Sequence, residues 1–275
     1  MSDSSKKKFD LIQRGQRTPT PGGTLTFIGL RVLDLPLQHA LLATTTGLGA
    51  ALLSRAGIAS SPAASLLHTG IPLIDALGHP TNALLLLMAT GSSAKQIYWL
   101  TSLSYESFPV SAAAAVGLFN TVFNSANSLL FLALASTSLR SRPLVSIPLP
   151  FGTVDLPLST VVGTLMYVFG LGLETISERQ RKAFKDDPAN AGKVCKVGVW
   201  RWARHVNYFG YALWRGGYTM AATGWVGGLA VVAFQAWDLG YRAAGVLDEY
   251  CTNRYKEQWA QFKREVPYKI VPGIW

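Results

Sequence analysis

The sequence predicts an all-α fold, a polytopic membrane helical bundle of about six transmembrane helices with a cytosolic loop and a C-terminal amphipathic helix. Three observations point there. Of 275 residues, 49% are hydrophobic and only 15% are charged, whereas a soluble domain carries about a quarter of its residues charged. The charges are also uneven: residues 35 to 175 hold four basic side chains (Arg55, Lys95, Arg140, Arg142) and four acidic ones (Asp75, Glu106, Asp155, Glu174). The net charge of +10 therefore sits in three blocks, 1 to 34, 176 to 204 and 241 to 275, each net positive.

Excess Lys and Arg marks the cytoplasmic side of a membrane protein. All three blocks are placed there, with an even number of spans between each pair. Such flanks also attract anionic membrane lipids. Nucleic-acid binding is excluded, because the basic residues flank apolar spans instead of forming one face. The apolar content excludes disorder, collagen and coiled coil.

In chain order, residues 1 to 34 read as a cytosolic or interfacial segment, since Lys6-Lys7-Lys8 runs into Asp10, Arg14 and Arg17 and not into the apolar core of a signal peptide. Residues 35 to 175 read as a four-span membrane part that shapes a lipid pocket. Its spans are expected at 36–54, 73–100, 110–136 and 157–175, each near the 20 apolar residues that cross a bilayer. Asp75, His79-Pro80 and Lys95 interrupt the second, and Pro143, Pro148 and Pro150 break the linker before the fourth. Residues 176 to 275 form a C-terminal part with a basic loop. A hairpin over 205–240 follows, charged only at Arg215 and Asp238 and turning at Thr223-Gly224. The tail is read as an amphipathic helix over 245–266, where Leu247, Tyr250, Tyr255, Trp259 and Phe262 recur at helical spacing.

No metal site is expected. His39, His68, His79 and His205 are scattered, and Cys195 and Cys251 fall in cytosolic blocks where thiols stay reduced. Nor is there a G-x-G-x-x-G, a Walker loop or an H-E-x-x-H. The chemistry-bearing stretch is Glu174 to Gly210. Arg201 and Arg204 there can pair with phosphate, His205 and Asn207 can hydrogen-bond, and Trp200, Trp202 and Tyr208 offer flat faces to a ring. Gly210 allows a helix or ligand close approach. In the third span Asn120, Asn124 and Asn127 share one helix face, a candidate substrate-pocket wall or a set of interhelical hydrogen bonds. Lys95, Tyr98, Trp99 and Glu106 either orient a substrate or sit at the interface.

The run Trp200-Arg201-Trp202-Ala203-Arg204-His205-Val206-Asn207-Tyr208-Phe209-Gly210 resembles the signature of the steroid 5-alpha-reductase C-terminal-domain family. Glu174-x-x-Ser177-Glu178, Asp187-Pro188-x-Asn190 and the tail Tyr255-x-x-x-Trp259 to Val271-Pro272-Gly273 are similar as well, so the likeness covers about residues 160 to 275. It implies an endoplasmic-reticulum membrane reductase that holds NADPH in its C-terminal half and saturates a carbon–carbon double bond of a sterol, steroid or other lipid. Carried over, the cofactor positions are Glu178, Lys182, Lys185, Arg201, Arg204, His205, Asn207, Tyr208, Tyr255, Trp259 and Tyr268. Tyr98, Glu106 and Tyr211 are the candidate acids. Two departures stand out: Val206 replaces the usual Pro, and Tyr211 replaces the Glu that follows the glycine. A related branch, the isoprenylcysteine carboxyl methyltransferases, has a similar R-H-P-x-Y element that binds S-adenosylmethionine. Asn207 fits the reductase pattern better. A non-catalytic lipid-binding or scaffold protein is the third reading, supported by Tyr211.

Overall fold

The computed structural model describes residues 15–61, 67–137, 144–149 and 152–275. Helix α1 (Pro21–Leu42) opens on a proline, whose fixed φ suits the first helical turn. A turn at residues 43–47 leads to the short α2 (Leu48–Arg55). The span expected at 36–54 is thus divided, and the crossing helix starts earlier, within the block assigned to the cytosol. Arg31 and Asp34, counted there as surface charges, lie inside α1 at 0% and 1% exposure. They are one turn apart on one face, where the Arg31 guanidinium meets the Asp34 carboxylate at 3.0 Å. Neutralised in that way, the pair interrupts the apolar stretch without ending it.

A short α3 (Pro72–Asp75) precedes α4 (Pro80–Tyr98), which continues through a π-helical turn at Trp99–Leu103. His79 separates the two by capping α4, its Nδ1 accepting the Thr81 N–H at 3.2 Å. The expected second span is therefore trimmed at its front. Helix α5 (Val110–Leu132) and the short α6 (Leu134–Thr137) follow. The proline-rich linker carries a hairpin that the sequence did not announce, β1 (Leu144–Leu149) paired antiparallel with β2 (Gly152–Pro157). Helix α7 (Leu158–Asp186) has 29 residues, about 44 Å of helix, and carries the fourth span on into the basic block.

The hairpin expected over 205–240 is present as α8 (Val206–Thr223) and α9 (Trp225–Asp238), separated by Gly224 at φ 88°. A π-helical turn at Leu239–Ala243 joins α9 to α10 (Ala244–Tyr255), and α11 (Glu257–Glu265) completes the tail. The single expected tail helix is broken at Lys256, whose φ is +49°. Its apolar stripe still packs as read: Leu247, Tyr250, Trp259 and Phe262 meet Val194, Cys251 and Val266.

Among the described residues, three helices are long and apolar enough to cross a membrane, namely α1, α5 and α7. Large apolar side chains stand outward on them, such as Leu33, Val122 and Leu165, and also on α9 at Val226 and Trp237. A bilayer would cover this surface. Six crossings are expected from the charge pattern; three helices meet this length and hydropathy, with α4 packed on α1 and the α8–α9 hairpin joined to α7 through α8.

The most extensive helix–helix contact is between α7 and α8. A Cβ placed on Gly170 would lie 2.5 Å from the Trp214 nitrogen and 2.6 Å from the Gly210 oxygen. One on Gly217 would lie 2.5 Å from the Gly163 oxygen and 2.6 Å from the Tyr167 nitrogen. The two backbones touch because four glycines face one another, the means by which helices associate where apolar burial gives no advantage over lipid. Gly210, which could have faced a ligand or a helix, faces α7.

Candidate functional site

Two polar constellations stand out, one at the α8 N-terminus and one deep among the helices. At the first, the C-terminal turns of α7 bring Glu178 (4% exposed) against the start of α8. Its Oε1 accepts the Asn207 side-chain amide at 2.9 Å, and its Oε2 takes the Arg181 guanidinium. The Asn207 carbonyl oxygen is buried with no hydrogen-bond partner. His205 stacks on Tyr208 at 5.4 Å between ring centres and lies 6.5 Å from Trp259, whose indole N–H is held by Asp248 at 2.7 Å. The tail is stitched across this end: the Arg204 and His205 backbone N–H groups donate to Tyr268 and Lys269. The structure thus brings together Glu178, His205, Asn207, Tyr208 and Trp259, with Tyr268 joining through its backbone.

Other sequence-predicted residues are directed elsewhere. The Arg204 guanidinium donates to the Val266 and Pro267 carbonyls at 2.6 and 2.8 Å, so it fastens the tail instead of facing a phosphate. Desolvation there pulls its pKa down, with Asp248 opposing. Lys182 pairs with Asp186 at 3.1 Å and touches Tyr105. Lys185 is exposed, and Tyr255 is partly buried beside Arg254. Arg201 lines a separate cleft of about 660 Å³ with Lys193, Lys196, Gln258 and Glu265. Tyr98 is exposed and Glu106 accepts the Gly15 N–H at 3.3 Å, whereas Tyr211 lies among the helices. No contact joins these three candidate acids among the described residues. Burial pushes the Cys195 thiol up, so it is protonated near neutral pH. Neither Cys195 nor the buried Cys251 is in a disulfide. At pH 7 the buried Cys251 is expected to resist N-ethylmaleimide in the folded protein and the partly buried Cys195 to react slowly, while both label after denaturation, as mass spectrometry can count.

The second constellation was legible only in part. Asn120, Asn124 and Asn127 are buried on α5, as one face requires. Asn124 donates to Asp34 at 2.7 Å and Asn120 accepts from Gln96 at 3.0 Å, so two of the three serve interhelical hydrogen bonds. Gln38 links Asp34 (2.9 Å) to Ser125 and Ser128, and Arg31 reaches Ser93 at 2.6 Å. Lys95 does not snorkel: it pairs inside with Glu174, which also accepts the Trp214 indole N–H at 2.7 Å. Removing one partner of a buried pair costs about 3–5 kcal/mol. Lys95→Ala is therefore expected to lower the melting temperature far more than Lys95→Met combined with Glu174→Gln, a difference thermal denaturation in detergent measures. Arg215 (0% exposed) completes the network through Asn120 and Tyr211. Sequence reasoning noted it only as a charge in a hairpin.

A family model described as a protein of unknown function (DUF1295) matches residues 121–266, just over half of the chain. The chain belongs to that family. The DUF1295 segment starts inside α5 and ends at the close of α11. It takes in the α7–α8 contact and the whole α8 mouth, but neither Tyr98 nor Glu106. The probable O-methyltransferase ustE of Ustilaginoidea virens is 32% identical over 249 residues, 90% of this chain and 84% of the relative. Neither comparison names a reductase.

Proposed function

We propose that the chain is a membrane enzyme that moves a methyl group from S-adenosylmethionine to an oxygen of a lipid-soluble acceptor. The likeness to an O-methyltransferase along nearly the whole chain supports this, and it moves the reading from the NADPH-dependent oxidoreductase that the motif suggested to its methyltransferase alternative. The observation that carries the proposal is the polarity of the α8 mouth. Arg204 and Lys182, two of the cations at the expected cofactor positions, are occupied by protein oxygens. What lines the mouth is the Glu178 carboxylate held between Asn207 and Arg181, the unpartnered Asn207 carbonyl oxygen and the rings of His205, Tyr208 and Trp259. Acceptors and aromatic faces complement a donor that carries ammonium, amino and sulfonium groups better than they complement a polyphosphate.

S-adenosylmethionine supplies an electrophilic methyl, so that an O–C bond forms as the S–C bond breaks, leaving a neutral thioether and releasing the acceptor's proton. The chain's part is to hold and orient. Glu178 fixes Asn207 with its carbonyl buried, while the tail, tied down by Arg204, closes over His205. We place this mouth on the cytosolic face of the endoplasmic reticulum, where the basic block meets a soluble donor. Incubating the purified protein with methyl-labelled S-adenosylmethionine and a lipid extract is expected to give an apolar labelled product. Absence of transfer, with lipid-dependent NADPH oxidation instead, would refute the proposal.

A further inference from the structure

We propose that Arg215 is an anion-binding subsite within the membrane part, taking the single ionised oxygen group, carboxylate or phenolate, of an apolar acceptor that enters beside Phe119 and Phe123. Three buried cations, Arg31, Lys95 and Arg215, face two carboxylates, Asp34 and Glu174. Arg31 and Lys95 take those two. No carboxylate pairs with Arg215 among the described residues, and Arg31 lies within repulsive reach of it. Its Nε donates to the Tyr211 hydroxyl at 3.1 Å and its Nη2 to the Asn120 carbonyl, both neutral, while Nη1 is buried with no partner. Tyr211 is a phenol and supplies no counter-charge. Four more unpartnered polar atoms lie on the same network or helix face: Arg31 Nε, Gln96 Oε1, Asn124 Oδ1 and Asn127 Nδ2. A charge at membrane depth turns toward a partner or a cavity, and here the partners are neutral acceptors and rings, with no counter-ion among the described residues.

The surroundings identify the ligand's chemistry. Trp214, Phe123, Tyr211 and Phe119 ring centres stand 4.4, 4.8, 5.3 and 5.4 Å from the guanidinium carbon. Phe119 is 47% exposed on the outer face and lies 5.9 Å from Phe123, so one layer of rings separates Arg215 from lipid. A planar fork in an aromatic setting suits a flat monoanion with an apolar body. Arg215 lies eight residues along α8 from Asn207, about 12 Å along the helix axis. That the ligand is the methyl acceptor rests on the methyltransferase reading; the binding itself does not.

Equilibrium binding of radiolabelled dodecanoate to the full chain in detergent, with no methyl donor present, tests this apart from the proposed activity. Pentachlorophenolate is expected to compete, and methyl dodecanoate to compete at least tenfold more weakly; the tighter anion identifies the acceptor class. In Arg215→Met that tenfold preference should vanish with no fall in melting temperature, because an uncompensated buried charge has been removed. Arg215→Lys, which keeps the charge, should retain part of the preference and serves if the Met variant does not fold. Equal competition by the ester in the wild type, or a preference that survives in Arg215→Met, would overturn the proposal.

Discussion

Replacing Gly217 by leucine is expected to leave no folded protein in detergent. The first added carbon alone would lie 2.5 Å from the Gly163 oxygen and 2.6 Å from the Tyr167 nitrogen, both backbone atoms of α7 that no rotamer change can move. The helices must part, and Tyr167, whose hydroxyl donates to Met88 O at 2.7 Å, moves with them. Overpacking commonly costs about 1–3 kcal/mol, and a whole isobutyl group at a backbone contact exceeds that range. Gly172→Leu on the same α7 is the control, because nothing lies within 4 Å of a Cβ there. It should elute and melt like the wild type, whereas Gly217→Leu should aggregate on size-exclusion chromatography.

The second large effect is at Glu178. Glu178→Ala is expected to reduce methyl transfer by about two orders of magnitude, since hydrogen bonds to a charged group contribute roughly 1.5–3 kcal/mol and the same carboxylate holds both Asn207 and Arg181. The Arg181 side chain is 30% exposed, so water can solvate it when its partner is lost. The melting temperature should therefore fall by only a few degrees. Glu178→Gln keeps an acceptor for Asn207 without the charge and should fall between the two in initial rate. Full activity in Glu178→Ala would remove this residue from the site.

The helical hairpin at 205–240 could be read from the sequence because a near-uncharged run of that length with a central Thr-Gly leaves no other arrangement. The apolar stripe of the tail was readable for a similar local reason, although its break at Lys256 was not, since a positive φ at a lysine has no sequence signal. The displaced first span shows where charge counting fails. Arg31 and Asp34 neutralise each other one turn apart inside α1, and only their spacing distinguishes that from two surface charges. The asparagine face of α5 followed from its i, i+4, i+7 spacing. Its partners, however, come from α1, α4 and α8, contacts that no local pattern encodes. At the mouth the sequence shows polar and aromatic residue types, but their destinations are set by the returning tail, which draws Arg204 into protein carbonyls.

We propose that the α8 mouth holds a cationic methyl donor. Thermal denaturation of the purified chain with S-adenosylmethionine or NADPH, titrated over the same concentration range, tests it most directly. A ligand at a hundredfold excess over its dissociation constant stabilises the folded state by about 2.7 kcal/mol. The melting temperature is expected to rise with S-adenosylmethionine, not to respond to NADPH, and to lose its rise in Asn207→Ala. A rise with NADPH alone would contradict the claim.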